Sequence, residues 1–336
     1  MKNSKCLITG GAGFVGVNLA SRLIREGHEV HILDNLSRAG VEKNLQWLKQ
    51  EYPGSFEFIK ADVRSEDKVR EAVEEMDAIF HFASQVAVTT SVEDPRSDFE
   101  INALGTLNVL DAARKCNPGA IVFFTSTNKV YGKLASLETE EAGERYQFRN
   151  LKLGVNESQH LDFYSPYGCS KGTGDQYMLD YARIFGMRTV VFRMSCIYGP
   201  HQYGNEDQGW VAHFVKAALK NHKLNIFGNG KQVRDILFVE DLVDAFISAG
   251  LNIDETAGKA FNIGGGLENS ISLIELLKIL ENLTGSPVKT DFYDWRPGDQ
   301  KIYISDITKA SETFNWRPRI SKEEGIKRLY NWIRVN

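Results

Sequence analysis

The sequence predicts an α/β protein built on a doubly wound parallel sheet, with a smaller α/β lobe toward the C-terminus. Three observations predict this class. Short apolar strands alternate with helical stretches in the first half, a glycine-rich turn follows the first strand, and the alternation changes after Tyr198-Gly199-Pro200. Strand–helix–strand repetition of this kind gives a parallel sheet that is covered by helices on both faces.

The elements of the large sheet follow in chain order. The predicted strands are Lys5–Thr9, Glu29–Asp34, Phe56–Lys60, Ala78–Phe82, Ala120–Thr125 and Arg188–Arg193. Between them, Val15–Arg25 and Phe99–Arg114 carry apolar residues at helical spacing. A longer helix precedes the sixth strand. These segments predict a sheet of at least six parallel strands with crossover helices.

The second half adds two more apolar strands, Ile236–Val239 and Ala260–Ile263, among turn-rich patches and single helices. We expect the segment that carries these strands to return to the large sheet. The predicted large domain therefore comprises residues 1–196 and 233–265. The predicted smaller lobe comprises residues 197–232 and 266–336.

Composition excludes several classes of protein. The chain has 336 residues, 42% of them hydrophobic and 25% charged, with a net charge of −4. This charge gives no electrostatic basis for binding nucleic acid or an anionic membrane, and no apolar run is long enough for a membrane span. The four cysteines stand far apart without C-x-x-C spacing, which argues against a zinc site and a disulfide scaffold. We expect a cytoplasmic enzyme without a metal.

The first strand runs directly into the glycine-rich turn Gly10–Gly16, and a helix follows. Small residues let the backbone turn sharply and approach a pyrophosphate, while the helix N-terminus presents free N–H groups. A strand before the turn and a helix after it are the context that a dinucleotide-binding turn requires. The turn therefore predicts a sheet of the Rossmann type that binds a dinucleotide.

Two carboxylates at strand ends predict which dinucleotide binds. Asp34 closes the second strand, 18 residues after Gly16, where a carboxylate binds the adenosine ribose and repels a 2′-phosphate. Asp62-Val63 follows the third strand and is placed to meet the adenine. This pattern favours NAD, and Arg38 keeps NADP open as the alternative.

Tyr167 and Lys171 stand four residues apart, on one face of a predicted helix. Ser165-Pro166 precedes them as a plausible N-cap and first-turn proline. The helix N-terminus favours an anion, and we expect Lys171 with an oxidised nicotinamide to lower the phenol's pKa from about 10. Such a phenolate can take the proton of a sugar hydroxyl while hydride leaves the same carbon.

The fifth strand leads into Thr125-Ser126-Thr127-Asn128-Lys129-Val130-Tyr131-Gly132. Side chains at the carboxyl end of a parallel strand face the crevice where ligands bind. We expect either Thr127 or Ser126 to hydrogen-bond the reacting oxygen. The sequence leaves two roles open for Lys129: contact with a ligand, or a solvated surface charge.

These motifs together resemble the extended short-chain dehydrogenase/reductase family of nucleotide-sugar enzymes, and the resemblance runs nearly end to end. Within that family, several stretches resemble the CDP-tyvelose (CDP-paratose) 2-epimerases. The stretches are Ser84–Ser91, Ser126–Gly132, Ser165–Gly172, Asp175–Phe185 and, most distinctive, Asp207-Gln208-Gly209-Trp210. The resemblance implies a smaller lobe that binds a nucleotide-diphosphate sugar, and a tightly held NAD that is reduced and reoxidised within one turnover.

The resemblance also assigns residues. Thr127 takes the hydroxyl role, Tyr167 is the base and Lys171 is its partner. The residues expected to hold NAD are Gly10, Gly13, Phe14, Val15, Gly16, Asp34, Asn35, Ser37, Arg38, Asp62, Val63, Phe82, Ala83, Ser84, Gln85, Thr125, Tyr167, Lys171 and Met194. Those expected to hold the substrate are Gln85, Val86, Thr127, Asn128, Lys129, Ser195, Cys196, His201, Gln208, Arg234, Arg296 and Gln300. Among these, Arg234 and Arg296 match positions that bind the diphosphate, and guanidinium groups bind phosphate bidentately.

The chain also departs from the pattern of these epimerases. His201-Gln202 stands where Arg-Gln is usual, and Met194 stands where a His is expected. Ser195-Cys196 replaces a segment in which many members of the broader family carry an Asn. These positions are expected near the sugar and the diphosphate, so they bear on which sugar and base bind rather than on the chemistry.

The same scaffold supports other reactions. The 4,6-dehydratases resemble one another in an Asp-Glu pair at the turn after the fifth strand. This chain has Asn128-Lys129 at that turn, which supplies no carboxylic acid and argues against dehydration. Nothing in the sequence excludes a 4-epimerase of the UDP-glucose/UDP-galactose type. A dehydrogenase that releases NADH also stays open. A non-catalytic NAD-binding protein has no need of Tyr167 and Lys171 on one helix face.

Assembly is predicted from the resemblance alone. Relatives associate through two long helices of the large domain, which here correspond to residues 98–116 and 166–185. We therefore expect a homodimer or homotetramer.

Overall fold

The computed structural model describes residues 3–296 and 299–336. Four residues lie outside the described ranges: Met1, Lys2, Pro297 and Gly298. The last two directly follow Arg296, which is predicted to bind the diphosphate. The strands are β1 (Lys5–Thr9), β2 (Glu29–Asp34), β3 (Phe56–Lys60), β4 (Ala78–His81), β5 (Ile121–Thr127), β6 (Thr139–Ala142), β7 (Arg145–Phe148), β8 (Arg188–Met194), β9 (Cys196–Tyr198), β10 (Leu224–Phe227), β11 (Val233–Phe238), β12 (Lys259–Ile263), β13 (Ser270–Ser272), β14 (Thr290–Tyr293) and β15 (Ile302–Tyr303).

Helices connect most of these strands. They are α1 (Phe14–Arg25), α2 (Val41–Glu51), α3 (Glu66–Val73), α4 (Val88–Glu93), α5 (Pro95–Phe99), α6 (Gly105–Cys116), α7 (Ser165–Phe185), α8 (Trp210–Leu219), α9 (Val239–Leu251), α10 (Ile253–Thr256), α11 (Leu273–Thr284), α12 (Thr308–Phe314) and α13 (Lys322–Val335). A π-helical turn, Glu100–Leu104, joins α5 to α6, and a 3₁₀ turn, Asn128–Tyr131, follows β5. Among the described residues, no helix combines the length and the apolarity that crossing a bilayer requires.

The main sheet has seven parallel strands in the order β12-β8-β5-β4-β1-β2-β3. The chain builds outward from β1 to β3 and then crosses back to place β4 on the other side of β1. The strand order therefore reverses between β1 and β4, and ligands bind at the carboxyl ends of the strands beside such a reversal. This confirms the predicted fold class.

Both faces of the main sheet are buried. Neighbouring residues such as Ile8 and Leu7, or Phe123 and Phe124, point into two different apolar cores because successive side chains of a strand face opposite sides. One core packs α1 and α9 against the sheet, and the other packs α3, α6 and α7. This two-sided burial explains why the strands read as continuous apolar runs.

The smaller lobe has its own sheets and core. Strand β11 pairs with β9, β13 and β15, and β10 pairs with β14. Helices α8, α11 and α13 cover them around Phe214, Leu276 and Leu329. The expectation that both strands of residues 233–265 return to the main sheet is therefore half correct. Strand β12 joins the main sheet, whereas β11 lies beside β9, which continues the chain from β8.

The predicted helix over 99–114 also differs in detail. The structure begins helical backbone at Pro95 and widens it to a π-helical turn before α6. Pro95 stands at the first helical position, and the Asp94 side chain accepts a hydrogen bond from the Ser97 N–H at 3.0 Å. These are helix-start signals that lie ahead of the apolar pattern.

Candidate active site

One cavity of about 730 Å³ lies at the carboxyl ends of the main-sheet strands. It runs from the Gly10–Gly16 turn, past Tyr167 and Lys171, to Trp210 at the start of α8. Every residue that the sequence predicts for the dinucleotide lines it, and so do seven of those predicted for the sugar nucleotide besides Gln85: Val86, Thr127, Asn128, Lys129, Ser195, Cys196 and Gln208. The structure thus brings together segments that are far apart in the chain.

The turn between β1 and α1 offers backbone to the cavity. Gly10 has a φ of 68°, and a Cβ there would lie 2.6 Å from the backbone nitrogen of Ala83. A Cβ on Gly16 would lie 2.5 Å from the Cα of Gly11. No side chain caps the N-terminus of α1, which leaves its first N–H groups able to bind an anion. The turn therefore fits the pyrophosphate of a dinucleotide.

Two carboxylates stand at the adenosine end. The Asp34 carboxylate accepts hydrogen bonds from the N–H groups of Ala12 (3.1 Å) and Leu36 (2.8 Å), which fix its position at the end of β2. Burial raises the pKa of Asp34, and these two hydrogen bonds act in the opposite direction. Hydrogen bonds from the Arg64 guanidinium lower the pKa of Asp62 to about 2 despite partial burial. Negative charge here disfavours a ribose phosphate, so the site fits NAD better than NADP.

Arg38 also lines the cavity, but its charge acts on Tyr167 rather than at the adenosine end. Its guanidinium is close enough to Tyr167 to lower the pKa of that phenol. Arg38, which left NADP as an alternative cofactor in the sequence analysis, is therefore electrostatically coupled to Tyr167.

Helix α7 carries Tyr167 in its first turn and Lys171 one turn later. The Ser165 side chain accepts a hydrogen bond from the Gly168 N–H at 3.2 Å, which is the spacing of a helix cap. The buried Ser91 hydroxyl of α4 accepts another from the Tyr167 N–H at 3.1 Å. Two separate elements thus fix the start of the helix and the backbone of Tyr167.

The pKa of Tyr167 is raised to about 12, because burial disfavours the phenolate. A hydrogen bond with Thr127 acts in the opposite direction, Asp98 adds to the increase, and Arg38 opposes it. Burial acts on Lys171 too and lowers the pKa of that ammonium to about 7. The lowered phenol pKa that the sequence predicts is for Tyr167 beside a bound, oxidised nicotinamide, and it stays a prediction.

The two hydroxyls at the end of β5 both line the cavity but have different partners. Ser126 donates a hydrogen bond to the Asp175 carboxylate at 2.7 Å, and Asp175 forms a buried ion pair with Arg193 at 2.9 Å. Thr127 accepts the Lys129 N–H at 3.2 Å, and it is the hydroxyl that lowers the pKa of Tyr167.

Beyond Tyr167, the cavity wall carries a lysine, a thiol and an indole. Burial, together with the positive charge of Arg234, lowers the pKa of Lys129 to about 8. The Trp210 indole N–H donates to the Cys196 sulfur at 3.3 Å. Lys129 is therefore a desolvated cation beside the region where the sequence places the sugar and the diphosphate.

The arginines predicted for the diphosphate lie behind or beside this wall rather than in it. Arg234 donates hydrogen bonds to the carbonyls of Val233 and Gln300, both at 2.8 Å. The guanidinium carbon of Arg296 lies 3.8 Å from the centroid of the Phe227 ring, and Arg296 forms ion pairs with Glu206 (3.4 Å) and with Asp207 (3.5 Å), which lines the cavity. Binding a diphosphate directly requires these guanidinium groups to leave these partners.

Two predicted substrate residues need correction. His201 lies outside the cavity lining, with its ring 4.0 Å from the Trp47 ring and 5.2 Å from the Trp332 ring. Burial among these aromatic rings lowers the pKa of His201 to about 4, so the imidazole is neutral near pH 7. Gln300 is also buried outside the lining, and its amide N–H donates to the Gly132 carbonyl.

Some cavity residues were not predicted. Val88, Thr90, Ser97 and Ile101, from the α4–α5 region, line the cavity above the sugar end. Val88 and Thr90 lie in the Ser84–Ser91 stretch on which part of the family resemblance rests, whereas Ser97 and Ile101 had no such signal. Trp210 had a signal in the distinctive Asp207–Trp210 motif, and its indole contact with Cys196 shows what that motif contributes to the wall.

Comparisons with known proteins agree with this geometry. A sequence-family model described as GDP-mannose 4,6 dehydratase matches residues 7–329. The chain is 45% identical over 335 residues to a CDP-paratose 2-epimerase of Salmonella typhi, with 98% of each chain covered. It is 34% identical over 331 residues to a UDP-glucose 4-epimerase of Mycolicibacterium smegmatis, again with 98% of each chain covered. A UDP-glucuronic acid 4-epimerase of Bacillus cereus, solved with UDP-glucuronic acid and NAD, superposes with a TM-score of 0.85 at 27% identity and covers 98% of this chain and 99% of its own.

Proposed function

The chain belongs to the extended short-chain dehydrogenase/reductase family of the GDP-mannose 4,6 dehydratase type, and we propose that it is an NAD-dependent 2-epimerase of a nucleotide-activated hexose. The substrate is of the CDP-paratose/CDP-tyvelose type, and the enzyme is an isomerase. The observation that carries this proposal is the meeting of Tyr167, Lys171 and Thr127 in the cavity that begins at the glycine turn. The identity of 45% to a CDP-paratose 2-epimerase over the whole chain supports the choice of carbon 2.

The dinucleotide is held by groups described above. The Gly10–Gly16 turn and the N-terminus of α1 take the pyrophosphate, Asp34 takes the adenosine ribose, and Lys171 lies at the nicotinamide end. Bound NAD supplies a hydride acceptor that later returns the hydride. NAD fits this site, because the Gly10–Gly16 turn leaves its backbone open to a pyrophosphate and the Asp34 carboxylate disfavours a ribose phosphate. Its positive nicotinamide ring would lower the pKa of the phenol, which is about 12 in the protein alone.

Tyr167 performs the proton transfer. It takes the proton of the carbon-2 hydroxyl, and it gives that proton back to the oxygen of the 2-keto sugar after the sugar has turned. Thr127 lines the same cavity as Tyr167, lowers the pKa of that phenol and orients the same oxygen. Lys171 contributes a positive charge in a desolvated site, where an opposite charge stabilises the phenolate far more than in water. Removal and return of hydrogen at opposite faces of carbon 2 inverts that centre.

The sugar must turn while the diphosphate stays in place. Arg234 and Arg296 take the diphosphate once their side chains have turned into the cavity, since guanidinium groups bind phosphate through two parallel hydrogen bonds. Lys129 adds a cation that already lies on the cavity wall. Holding the diphosphate keeps carbon 2 within reach of Tyr167 in both orientations, which is how positioning lowers the barrier.

Other reactions fit the residues less well. Asn128 and Lys129 occupy the turn after β5 without a carboxylic acid, which argues against a 4,6-dehydratase. A 4-epimerase of the UDP-glucose type is the second candidate, supported by the 34% identity to a UDP-glucose 4-epimerase. A dehydrogenase would release NADH in proportion to the sugar added, whereas an epimerase gives none.

Incubation with CDP-, UDP- and GDP-hexoses tests the proposal, with NMR of the product's carbon-2 and carbon-4 stereochemistry. We expect inversion at carbon 2 of a CDP-sugar. Inversion at carbon 4 of a UDP-sugar identifies the second candidate instead. Absence of any product and of any NAD absorbance change with the whole panel supports a non-catalytic NAD-binding protein.

Assembly, domain limits and location are further proposals. Exposed apolar side chains on the π-helical turn and α7, including Leu104, Tyr177 and Ile184, support association of two copies through these helices. The division into 1–196 with 233–265 and 197–232 with 266–336 is supported by β12 in the main sheet, except at β11, which pairs with strands of the smaller lobe. The absence of disulfide spacing among the cysteines supports the cytoplasm as the location.

A further inference from the structure

A buried carboxylate lies beneath the catalytic helix and takes no part in the mechanism above. Asp98, on α5, is 1% exposed. Its Oδ2 accepts the Ser170 hydroxyl at 2.5 Å, and its Oδ1 accepts the side-chain N–H groups of Gln85 (2.8 Å) and Asn102 (3.1 Å). Among the described residues, Asp98 forms no ion pair with a Lys, Arg or His, so it is a buried negative charge held only by neutral donors.

These hydrogen bonds join three segments that form the site. Gln85 belongs to the cavity-lining loop after β4, Asn102 to the π-helical turn, and Ser170 to α7, next to Lys171 in the chain. Asn102 also donates to Ser170 at 3.0 Å and to the Gln85 carbonyl at 3.0 Å. The network therefore fixes the register of the catalytic helix against the loop that faces the nicotinamide end.

We propose that Asp98 is a positioning residue whose carboxylate is the electrostatic partner of Lys171. A full negative charge buried without a cationic partner is costly, and Lys171 is a buried ammonium that likewise lacks a direct carboxylate partner among the described residues. Each charge therefore stabilises the other across the Ser170 contact. Asp98 thereby increases the fraction of Lys171 that is charged, and the charged form stabilises the Tyr167 phenolate.

The other groups facing Lys171 do not fill this role. Asp175, on the same helix, is neutralised by its pair with Arg193. His81, at the end of β4, has a pKa lowered to about 3 and is neutral. The Phe124 ring of β5 lies 4.2 Å from the Lys171 ammonium and contributes only its π-face. Burial lowers the pKa of Lys171, and two negative charges raise it; the effect of Asp98 is larger than that of Asp175. Arg38 acts on Tyr167 from the loop after β2, and Thr127 from β5.

Asp98→Asn tests the charge with little change of shape. The Asn Oδ1 can still accept from Gln85 and Asn102, and its Nδ2 can donate to the Ser170 oxygen. Ser170 can then turn its hydrogen to the Tyr167 carbonyl, which lies 3.2 Å from its Oγ. The matched variant is Ser170→Ala, which removes a hydrogen bond of the same network and leaves the charge of Asp98.

The first readout needs no sugar substrate. The protein is labelled with ¹³Cε-lysine, and the Lys171 signal is assigned by its loss in Lys171→Met, all at matched dinucleotide occupancy. We expect Asp98→Asn to lower the titration midpoint of Lys171 by about half a pH unit or more, and Ser170→Ala to leave it within about 0.2 units. An unchanged midpoint in Asp98→Asn, or an equal shift in both variants, overturns the proposal.

The second readout rests on the proposed function. Asp98 also raises the pKa of Tyr167, so removing its charge moves both limbs of the pH profile of kcat to lower pH. Ser170→Ala, as a structural loss, lowers kcat without moving the limbs. If no epimerase activity exists, the proposed function fails while the NMR titration still decides the role of Asp98.

Discussion

Replacement of Tyr167 by Phe removes the phenol hydroxyl and keeps the ring in its buried position on α7. The pKa of this phenol is about 12 in the protein, so at pH 8 about one molecule in ten thousand carries the phenolate. That fraction corresponds to about 5 kcal/mol of ionisation cost, which Lys171 and the bound dinucleotide have to reduce. We expect the variant to lose at least ~100-fold in kcat, the lower range for general acid–base catalysis.

The assay is epimerisation of a CDP-hexose followed by NMR, with kcat and KM determined separately. The matched control is Tyr164→Phe, because Tyr164 lies just before α7 and outside the cavity lining, with the Lys133 ammonium 4.4 Å from its ring centroid. The control should keep the parent rate, and the KM of Tyr167→Phe should change little. A Tyr167→Phe protein that epimerises at the parent rate refutes the assignment of the base.

Three further predictions concern the dinucleotide turn and the buried charges. Gly16→Ala places a Cβ 2.5 Å from the Gly11 Cα and should abolish retention of NAD, measured in the purified protein. Asp175→Asn leaves Arg193 buried without its partner and should cost about 3–5 kcal/mol in urea unfolding. His81→Asn should make the free energy of unfolding less sensitive to acid. The pKa of His81 is about 3 in the folded protein and near 6.5 in the unfolded chain, so between pH 7 and pH 5 only the unfolded chain takes up this proton. The parent therefore loses about 2 kcal/mol of unfolding free energy by pH 5 from this group.

Each of these has a matched comparison. Gly119→Ala, with nothing within 4 Å of its Cβ position, should retain NAD, and equal loss in both glycine variants contradicts the turn geometry. Glu144→Gln breaks an exposed pair with Lys278 and should cost under about 1 kcal/mol. If His81→Asn loses as much stability between pH 7 and pH 5 as the parent, protonation of His81 is not the cause.

Much of the large sheet was predictable because its strands are buried on both faces. Strands β1, β2 and β3 have the bounds that the sequence predicted, although β3, at the edge of the sheet, mixes apolar and charged residues and none of its residues is buried. The position of β11 was not predictable, because an apolar run carries no information about which neighbour it pairs with. Its partners β9 and β15 are too short to be recognised from three or two residues.

The site divides in a similar way. The dinucleotide end was predictable because backbone geometry requires glycine at positions such as Gly10 and Gly16 of the turn. The sugar end was less so: His201 resembles a ligand in sequence, yet aromatic rings distant in the chain bury it. The elevated pKa of Tyr167 could not be predicted either, because burial of a phenol is a property of the folded cavity rather than of the Tyr-x-x-x-Lys spacing.

In the proposed mechanism, hydrogen leaves carbon 2 and returns to the same carbon without exchanging with water. A CDP-hexose labelled with deuterium at carbon 2, converted in ordinary water and analysed by NMR and mass spectrometry, tests this step. We expect the epimerised product to keep its deuterium at carbon 2. Replacement of that deuterium by solvent hydrogen contradicts this mechanism and indicates proton abstraction from the carbon.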